Sequence, residues 1–300
     1  SQIDELAFSP DGRWLAGAGT ATQGDHGGTI MLWRVEDHEA AEELTFDWQI
    51  TGLAFDPDGA WLAVSSRSGD AVGVWPISER GPEPIGMRWD VESPRGIAFH
   101  PAGEALAVSR GDGSIVVIDP LSGEMYGQPL TGSAETGGRI QFSADGHYLV
   151  SGGAGNRIDV WEVALPEDDY RSNVAFELHA PTSEVVAVTQ TAFGPDSYRL
   201  ASGSQDGSIT LWDLAKVHPL MTSEYPTRGS DGLAFNAVGS VVAATGDRVR
   251  LWSLPGGDEL PPIACPSLGL ARDRCGLQPR REDADRRRCQ LLRERHHLGS

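Results

Sequence analysis

The sequence predicts an all-β protein assembled from repeated antiparallel sheets, and three observations carry that prediction. A short apolar segment ending in phenylalanine recurs at Phe8, Phe55, Phe99, Phe142, Phe193 and Phe235, with separations of 47, 44, 43, 51 and 42 residues. A period in this range marks supersecondary units that stack to share a core. Most copies run into a turn built from Pro, Asp or Gly, and five of the six repeats close a later apolar strand on Trp. Composition agrees, with 37 Gly and 19 Pro in 300 residues and Lys216 as the sole lysine, a usage that excludes long helices and coiled coils. A length of 300 is compatible with two domains or with one closed all-β unit.

Each repeat reads as the same series of elements. Leu6-Ala7-Phe8-Ser9-Pro10-Asp11-Gly12-Arg13-Trp14-Leu15-Ala16 returns as Leu53-Ala54-Phe55-Asp56-Pro57-Asp58-Gly59-Ala60-Trp61-Leu62-Ala63, and then as Ile97-Ala98-Phe99-His100-Pro101-Ala102-Gly103. Weaker copies stand at Ile140-Gln141-Phe142, Thr191-Ala192-Phe193 and Leu233-Ala234-Phe235. Proline presets φ at the second turn position, Asp tolerates the third and Gly closes the turn, so the first strand reverses into a hairpin. A second strand such as Leu200-Ala201-Ser202-Gly203 follows, and then an Asp-Gly turn at Asp112-Gly113 or Asp206-Gly207. The third strand ends on Trp33, Trp75, Trp161, Trp212 and Trp252, with Ile118 in the third repeat. Weak alternation of apolar and polar residues fits sheets covered on both faces.

These repeats resemble the WD-repeat family of β-propellers, over residues 1 to about 255. The segment Asp206-Gly207-Ser208-Ile209-Thr210-Leu211-Trp212-Asp213 carries the family ending almost letter for letter. The resemblance implies four-stranded antiparallel blades stacked radially, with six recognisable and a seven-bladed parent. The Gly-His pair that usually precedes the first strand is missing, so the family's His-Asp-Ser-Trp network carries over in part, to Ser202, Asp206 and Trp212. The expected propeller occupies residues 1–260.

Residues 261–300 read differently. Positions 271–300 hold nine Arg against five Asp and Glu, so the net charge of -19 combines about -23 before them with +4 within. From Ala271 to Gly299 every residue except Cys275 and Cys289 has a codon beginning with G or C. A frame shifted by one base over Gly276–Ala284 can read Ala-Phe-Ser-Pro-Asp-Gly-Lys-Thr-Leu, the repeat's own signature, 42 residues after Phe235. The expectation for residues 261–300 is a frameshifted seventh repeat, irregular or disordered in this reading frame, in a piece of a longer, multidomain parent. At least two of the three cysteines, Cys265, Cys275 and Cys289, are then consequences of reading frame.

Chemistry was sought in the motifs. Gly17 to Gly28 has neither a Walker nor a dinucleotide spacing, no GxSxG elbow occurs, and the eight histidines are scattered. Asp56-Pro57-Asp58-Gly59 lacks the downstream ligands of a calcium loop and reads as a repeat turn. No cofactor or metal is expected, and the acidic balance with no basic stripe speaks against nucleic acid. The longest apolar runs are far short of the roughly 20 residues a bilayer requires, so no membrane segment is expected and a cytoplasmic location is the working expectation.

In a propeller, loops after the third strand share a rim with the Pro-Asp-Gly turns, which makes that rim acidic through Asp11, Asp58, Asp145 and Asp196. On the opposite rim, four residues before each Phe, stand Asp4, Thr51, Arg95, Gly138, Thr189 and Asp231, with Arg139 beside Gly138. Equal offset places one such residue per blade at the mouth of the central channel. The family resemblance implies that this face receives proteins or peptides. The expected function is a noncatalytic interaction scaffold within a larger signalling protein. The runner-up is a propeller enzyme of lactonase or metal-dependent hydrolase type with its site at the channel mouth.

Overall fold

A computed structural model of the chain describes residues 2–20, 27–36, 39–46, 49–66, 69–78, 81–82, 86–132, 139–153, 157–164, 171–179, 187–223, 232–245 and 249–261. All belong to the first of two units, Ser1–Ile263. The displaced-frame seventh repeat expected over residues 261–300 lies outside the described residues beyond position 261.

Every element among the described residues is a strand, and the strands form six antiparallel sheets. Blade 1 contains β1 (Gln2–Phe8), β2 (Trp14–Thr20), β3 (Gly28–Arg34) and β4 (Glu39–Phe46). Blade 2 contains β5 (Ile50–Phe55), β6 (Trp61–Ser66), β7 (Ala71–Ser78), β8 (Gly81–Pro82) and β9 (Met87–Asp90). Blade 3 contains β10 (Pro94–Phe99), β11 (Leu106–Arg110), β12 (Ser114–Ile118) and β13 (Leu130–Thr131). Blade 4 contains β14 (Ile140–Phe142), β15 (Tyr148–Gly152), β16 (Arg157–Ala164) and β17 (Arg171–His179). Blade 5 contains β18 (Val188–Phe193), β19 (Arg199–Ser204), β20 (Ile209–Asp213) and β21 (His218–Ser223). Blade 6 contains β22 (Gly232–Phe235), β23 (Val241–Thr245) and β24 (Val249–Ser253).

Four blades have the expected four strands in sequential order. Blade 2 divides its outer position, β8 pairing with one end of β7 and β9 with the other. Blade 6 has three strands plus a single bridge, Trp252 to Glu259, where a fourth would begin.

The turns explain why the motif repeats. In blade 1 the Ser9 hydroxyl accepts the Trp14 amide at 2.9 Å and donates to Asp11 Oδ1 at 2.5 Å, while Gly12 sits at φ 71°. Blade 4 repeats the arrangement with Ser143, Tyr148 and Asp145 at 2.9 and 2.6 Å. A positive φ costs most residues energy that glycine avoids, so Gly closes these turns. Blade 5 places Ser197 there at φ 62°, and its hydroxyl accepts the Asp145 amide of blade 4 at 3.0 Å. Arg199 Nη1 likewise donates to the Gly239 carbonyl of blade 6 at 2.7 Å, so neighbouring turns are stitched together along one rim.

Burial is organised between blades. Five hydrophobic clusters each straddle one junction, from blades 1 and 2 through to blades 5 and 6. Phe55, Phe142 and Phe193 each pack against the preceding blade and are 9%, 6% and 8% exposed. Phe8 and Leu6, on the first inner strand, are 64% and 60% exposed. Among the described residues no blade precedes blade 1, and none covers that face.

Candidate functional site

The first strands of the blades pack in series, β1 on β5, β5 on β10, β10 on β14, β14 on β18 and β18 on β22. Arg139, just before β14, donates through Nη2 to Glu5 Oε1 of β1 at 2.8 Å. That bond joins blade 1 to a blade three positions on, so the series curves around a central opening with these strands facing it. The pair is partly exposed, and such pairs contribute about 0–1 kcal/mol, so its importance is as a marker of what lines the mouth.

The offset residues have a feature that the repeat spacing alone did not reveal. Register slips by one residue between Ile3 and Glu5, between Ile50 and Gly52, between Pro94 and Ile97, and between Val188 and Gln190. The residues left over are Asp4, Thr51, Arg95 with Gly96, and Thr189. Each is thus a β-bulge at the start of an inner strand. A bulge leaves one residue unpaired and re-aims its side chain, which is why bulges concentrate at barrel rims and beside functional sites.

The mouth residues differ in their contacts. Thr51 is half-buried, its hydroxyl 3.2 Å from Ser65 Oγ and 3.2 Å from the Pro94 carbonyl of the next blade. Ser65 is buried and donates to the Arg95 carbonyl at 3.0 Å, which ties the mouths of blades 2 and 3 together. Arg95 is half-buried and Arg139 exposed. Thr189 is exposed, and its hydroxyl donates to the Gly203 carbonyl at 3.2 Å. The backbone of Asp4 lies in β1, whereas its side chain, Gly138 and Asp231 lie outside what the structure describes. Thr51, Arg95, Arg139 and Thr189 therefore share one rim, on four consecutive blades. Glu5 was not singled out by its sequence; it stands one position past the bulged Asp4, where the strand passes from polar to apolar residues.

Blade 5 holds the three residues of the implied polar network. Trp212 Nε1 donates to Ser202 Oγ at 2.9 Å in the core of the blade. Asp206 stays with its own turn, where Oδ1 accepts the Ser208 amide at 2.8 Å. Asp112 does the same in blade 3, accepting the Ser114 amide and hydroxyl at 2.9 and 2.6 Å; the Ser114 hydroxyl bond is the main reason its carboxyl lies below the ordinary value. In blade 4 the equivalent Trp161 is 1% exposed and its Nε1 meets no acceptor, since Ser151 turns instead to the Gly152 carbonyl at 3.2 Å.

On the opposite rim the turn carboxylates are held by hydrogen bonds. The Ser9 hydroxyl and Arg13 amide keep the Asp11 carboxyl below its usual range. Asp145 is lowered as well: burial pushes it upward, but the Ser143 hydroxyl and His147 amide outweigh that. Asp56, in the place of Ser9 and Ser143, is the exception, with its carboxyl raised by burial.

Comparison with known proteins agrees with this architecture. The family described as "WD domain, G-beta repeat" matches residues 1–34, 43–72 and 173–213. The last match runs from the outer strand of blade 4 through three strands of blade 5, the offset between repeat and blade that a propeller shows. Striatin-4 of Mus musculus is 33% identical over 98 residues, covering 31% of this chain and 13% of that protein. The Drosophila melanogaster Protein LST8 homolog is 27% identical over 125 residues, covering 40% of this chain and 37% of that protein. Protein groucho of Drosophila melanogaster is 27% identical over 123 residues, covering 40% and 16% respectively. The chain thus aligns with well under half the length of each of these relatives. Repeated turns, blade topology, the Ser202–Trp212 bond and the matched segments together show that the chain carries WD repeats arranged as propeller blades.

Proposed function

We propose that the chain acts as a noncatalytic binding module that presents the channel mouth to a protein or peptide. The observation that supports this reading is the row of bulged residues Asp4, Thr51, Arg95 and Thr189, repeated at one position of four blades. A rigid stack of sheets with re-aimed polar side chains at one rim suits recognition, because binding residues gain specificity when a stiff scaffold positions them. Family kinship with Striatin-4 and groucho supports protein partners in general terms. Placement as the scaffold part of a larger cytoplasmic signalling protein belongs to the same proposal.

The test is quantitative recovery of bound proteins by immobilised wild-type chain and by an Arg95→Ala/Arg139→Ala double variant, with unfolding temperature measured alongside. The expected outcome is a fall of about fivefold or more in specific partners at unchanged folding, on the order of the loss of one charged contact. Equal recovery by the two proteins overturns the channel-mouth assignment.

A further inference from the structure

The turn rim carries a cavity of about 450 Å³ between blades 2 and 3. It is bounded by the turn of blade 2, the turn of blade 3 and the loop after β12. Its walls combine the half-buried rings of Trp61, Phe99 and Tyr126 with the acidic residues Asp56, Asp58, Glu104 and Asp119, and no basic residue lines it.

Asp56 is the reason to read this as a built site. In blades 1 and 4 the same turn position is serine, whose hydroxyl accepts the backbone amide of the next strand and donates its proton to the turn aspartate. Asp56 keeps the first contact, with Oδ1 accepting the Trp61 amide at 2.8 Å. As a carboxylate it has no proton for Asp58, so two negative groups stand together where the other turns have a hydrogen bond. Asp56 is only 6% exposed, and burial outweighs the Trp61, Ala60 and Asp58 amides that favour its charge, so the carboxylate is incompletely compensated. A buried charge that is incompletely compensated destabilises a fold unless something else satisfies it. Turn formation does not require a carboxylate here, since serine holds the same position in two sister blades.

The opposite wall is prepared in a complementary way. Asp119 is held in place by the Leu121 and Ser122 amides at 2.7 and 2.8 Å, and its Oδ2 lies 3.2 Å from the Tyr126 hydroxyl, which donates to it. Leu121 stands 55% exposed at the edge of the cavity, an apolar surface suited to an aliphatic stem. No three potential ligands converge for a metal ion among the described residues.

We infer that this cavity binds the arginine side chain of a partner peptide, with the guanidinium meeting Asp56 and Asp58 and its flat face against the aromatic wall. A guanidinium supplies several donors in one plane, pairs with carboxylates through two parallel bonds, and stacks on rings; an ammonium offers only a point charge. The inference rests on the reading of the chain as a peptide-binding module, but places this contact on the rim away from the channel mouth.

The test uses the full chain and two labelled hexapeptides of Gly and Ser, one with a central arginine and one with citrulline, which keeps the shape and removes the charge. Fluorescence anisotropy should show the arginine peptide binding at least about tenfold more tightly, with the advantage shrinking as salt is raised. Asp56→Ser restores the common turn, so it should fold with an equal or higher unfolding temperature and yet lose that advantage; Asp58→Asn should lose most of it. Equal binding of the two peptides, or full arginine preference in Asp56→Ser, overturns the inference. The mouth variant Arg95→Ala/Arg139→Ala separates the two proposals. If it abolishes partner recovery while the peptides bind alike, the module reading stands and the cavity falls; if the arginine preference holds and recovery is unaffected, the reverse is true.

Discussion

Phe8 and Phe142 hold the same place in the same motif, yet Phe142 is 6% exposed and Phe8 is 64% exposed. Their turns are nearly identical, with a serine hydroxyl bridging an amide and an aspartate in both. The difference lies in the neighbour. Phe142 packs against Ala105, Ala107 and Val117 of blade 3, whereas no described blade stands before Phe8. A propeller motif therefore carries its own fold locally but borrows its burial from the blade ahead of it.

The largest effect to expect from this comparison is at the phenylalanines. Phe142→Ala should cost about 3–5 kcal/mol by denaturant unfolding, because it empties a packed site, while Phe8→Ala should cost about 1 kcal/mol or less. Similar losses at both sites would show that Phe8 is covered in solution. A smaller contrast separates blades 5 and 4. Trp212→Phe removes a buried N–H bond to Ser202, whose hydroxyl loses that donor and keeps only its own donation to the Thr210 carbonyl, so about 1–2 kcal/mol should be lost. Trp161→Phe deletes an N–H that meets no acceptor and should be near neutral or mildly stabilising. If both tryptophans prove equally costly, the indole N–H of blade 4 has a partner after all.

The smallest effects are in the turns, and pH gives them opposite signs. The Asp145 carboxyl lies below its ordinary 3.8 when folded, so its stabilisation is present above that pH and fades as pH falls through the folded value. Asp145→Asn should therefore lower the unfolding temperature near neutrality, within about 3 °C, and matter little in acid. The Asp56 carboxyl lies above 3.8, so the folded state is favoured by its protonated form and weakened as pH rises through the raised value. Asp56→Asn should raise the unfolding temperature by a similar amount at neutral pH, and the gain should disappear below about pH 3.8. Parallel behaviour of the two variants would break the distinction drawn between these turns.

Much of the blade architecture was legible because its signals are local. The Phe-to-turn segments and the strands ending on Trp33, Trp75, Trp161, Trp212 and Trp252 all fall in the elements their residues favour. The divided outer edge of blade 2 was not legible, since β8 and β9 are short and their pairing with β7 depends on the loops between them. The offset of four residues picked out Asp4, Thr51, Arg95 and Thr189, but not the bulges on which they stand. A bulge is a property of two strands in register, invisible in either one. The cavity residue was read as an ordinary turn: Asp56 differs from Ser9 by a substitution that any turn propensity accepts, and only the position of Asp58, Asp119 and the aromatic wall gives it another meaning.

Local chemistry settles where this chain turns and which residues form strands, because proline, glycine and β-branched side chains restrict the backbone within a few residues of themselves. Which of six similar phenylalanines is buried, and how deeply a turn aspartate is covered, depend on groups from other blades, while which of two equivalent indoles finds an acceptor is decided by the packing inside its own blade. Hydrogen bonds and apolar contacts act over a few ångströms, and only packing brings residues forty or more positions apart within that range.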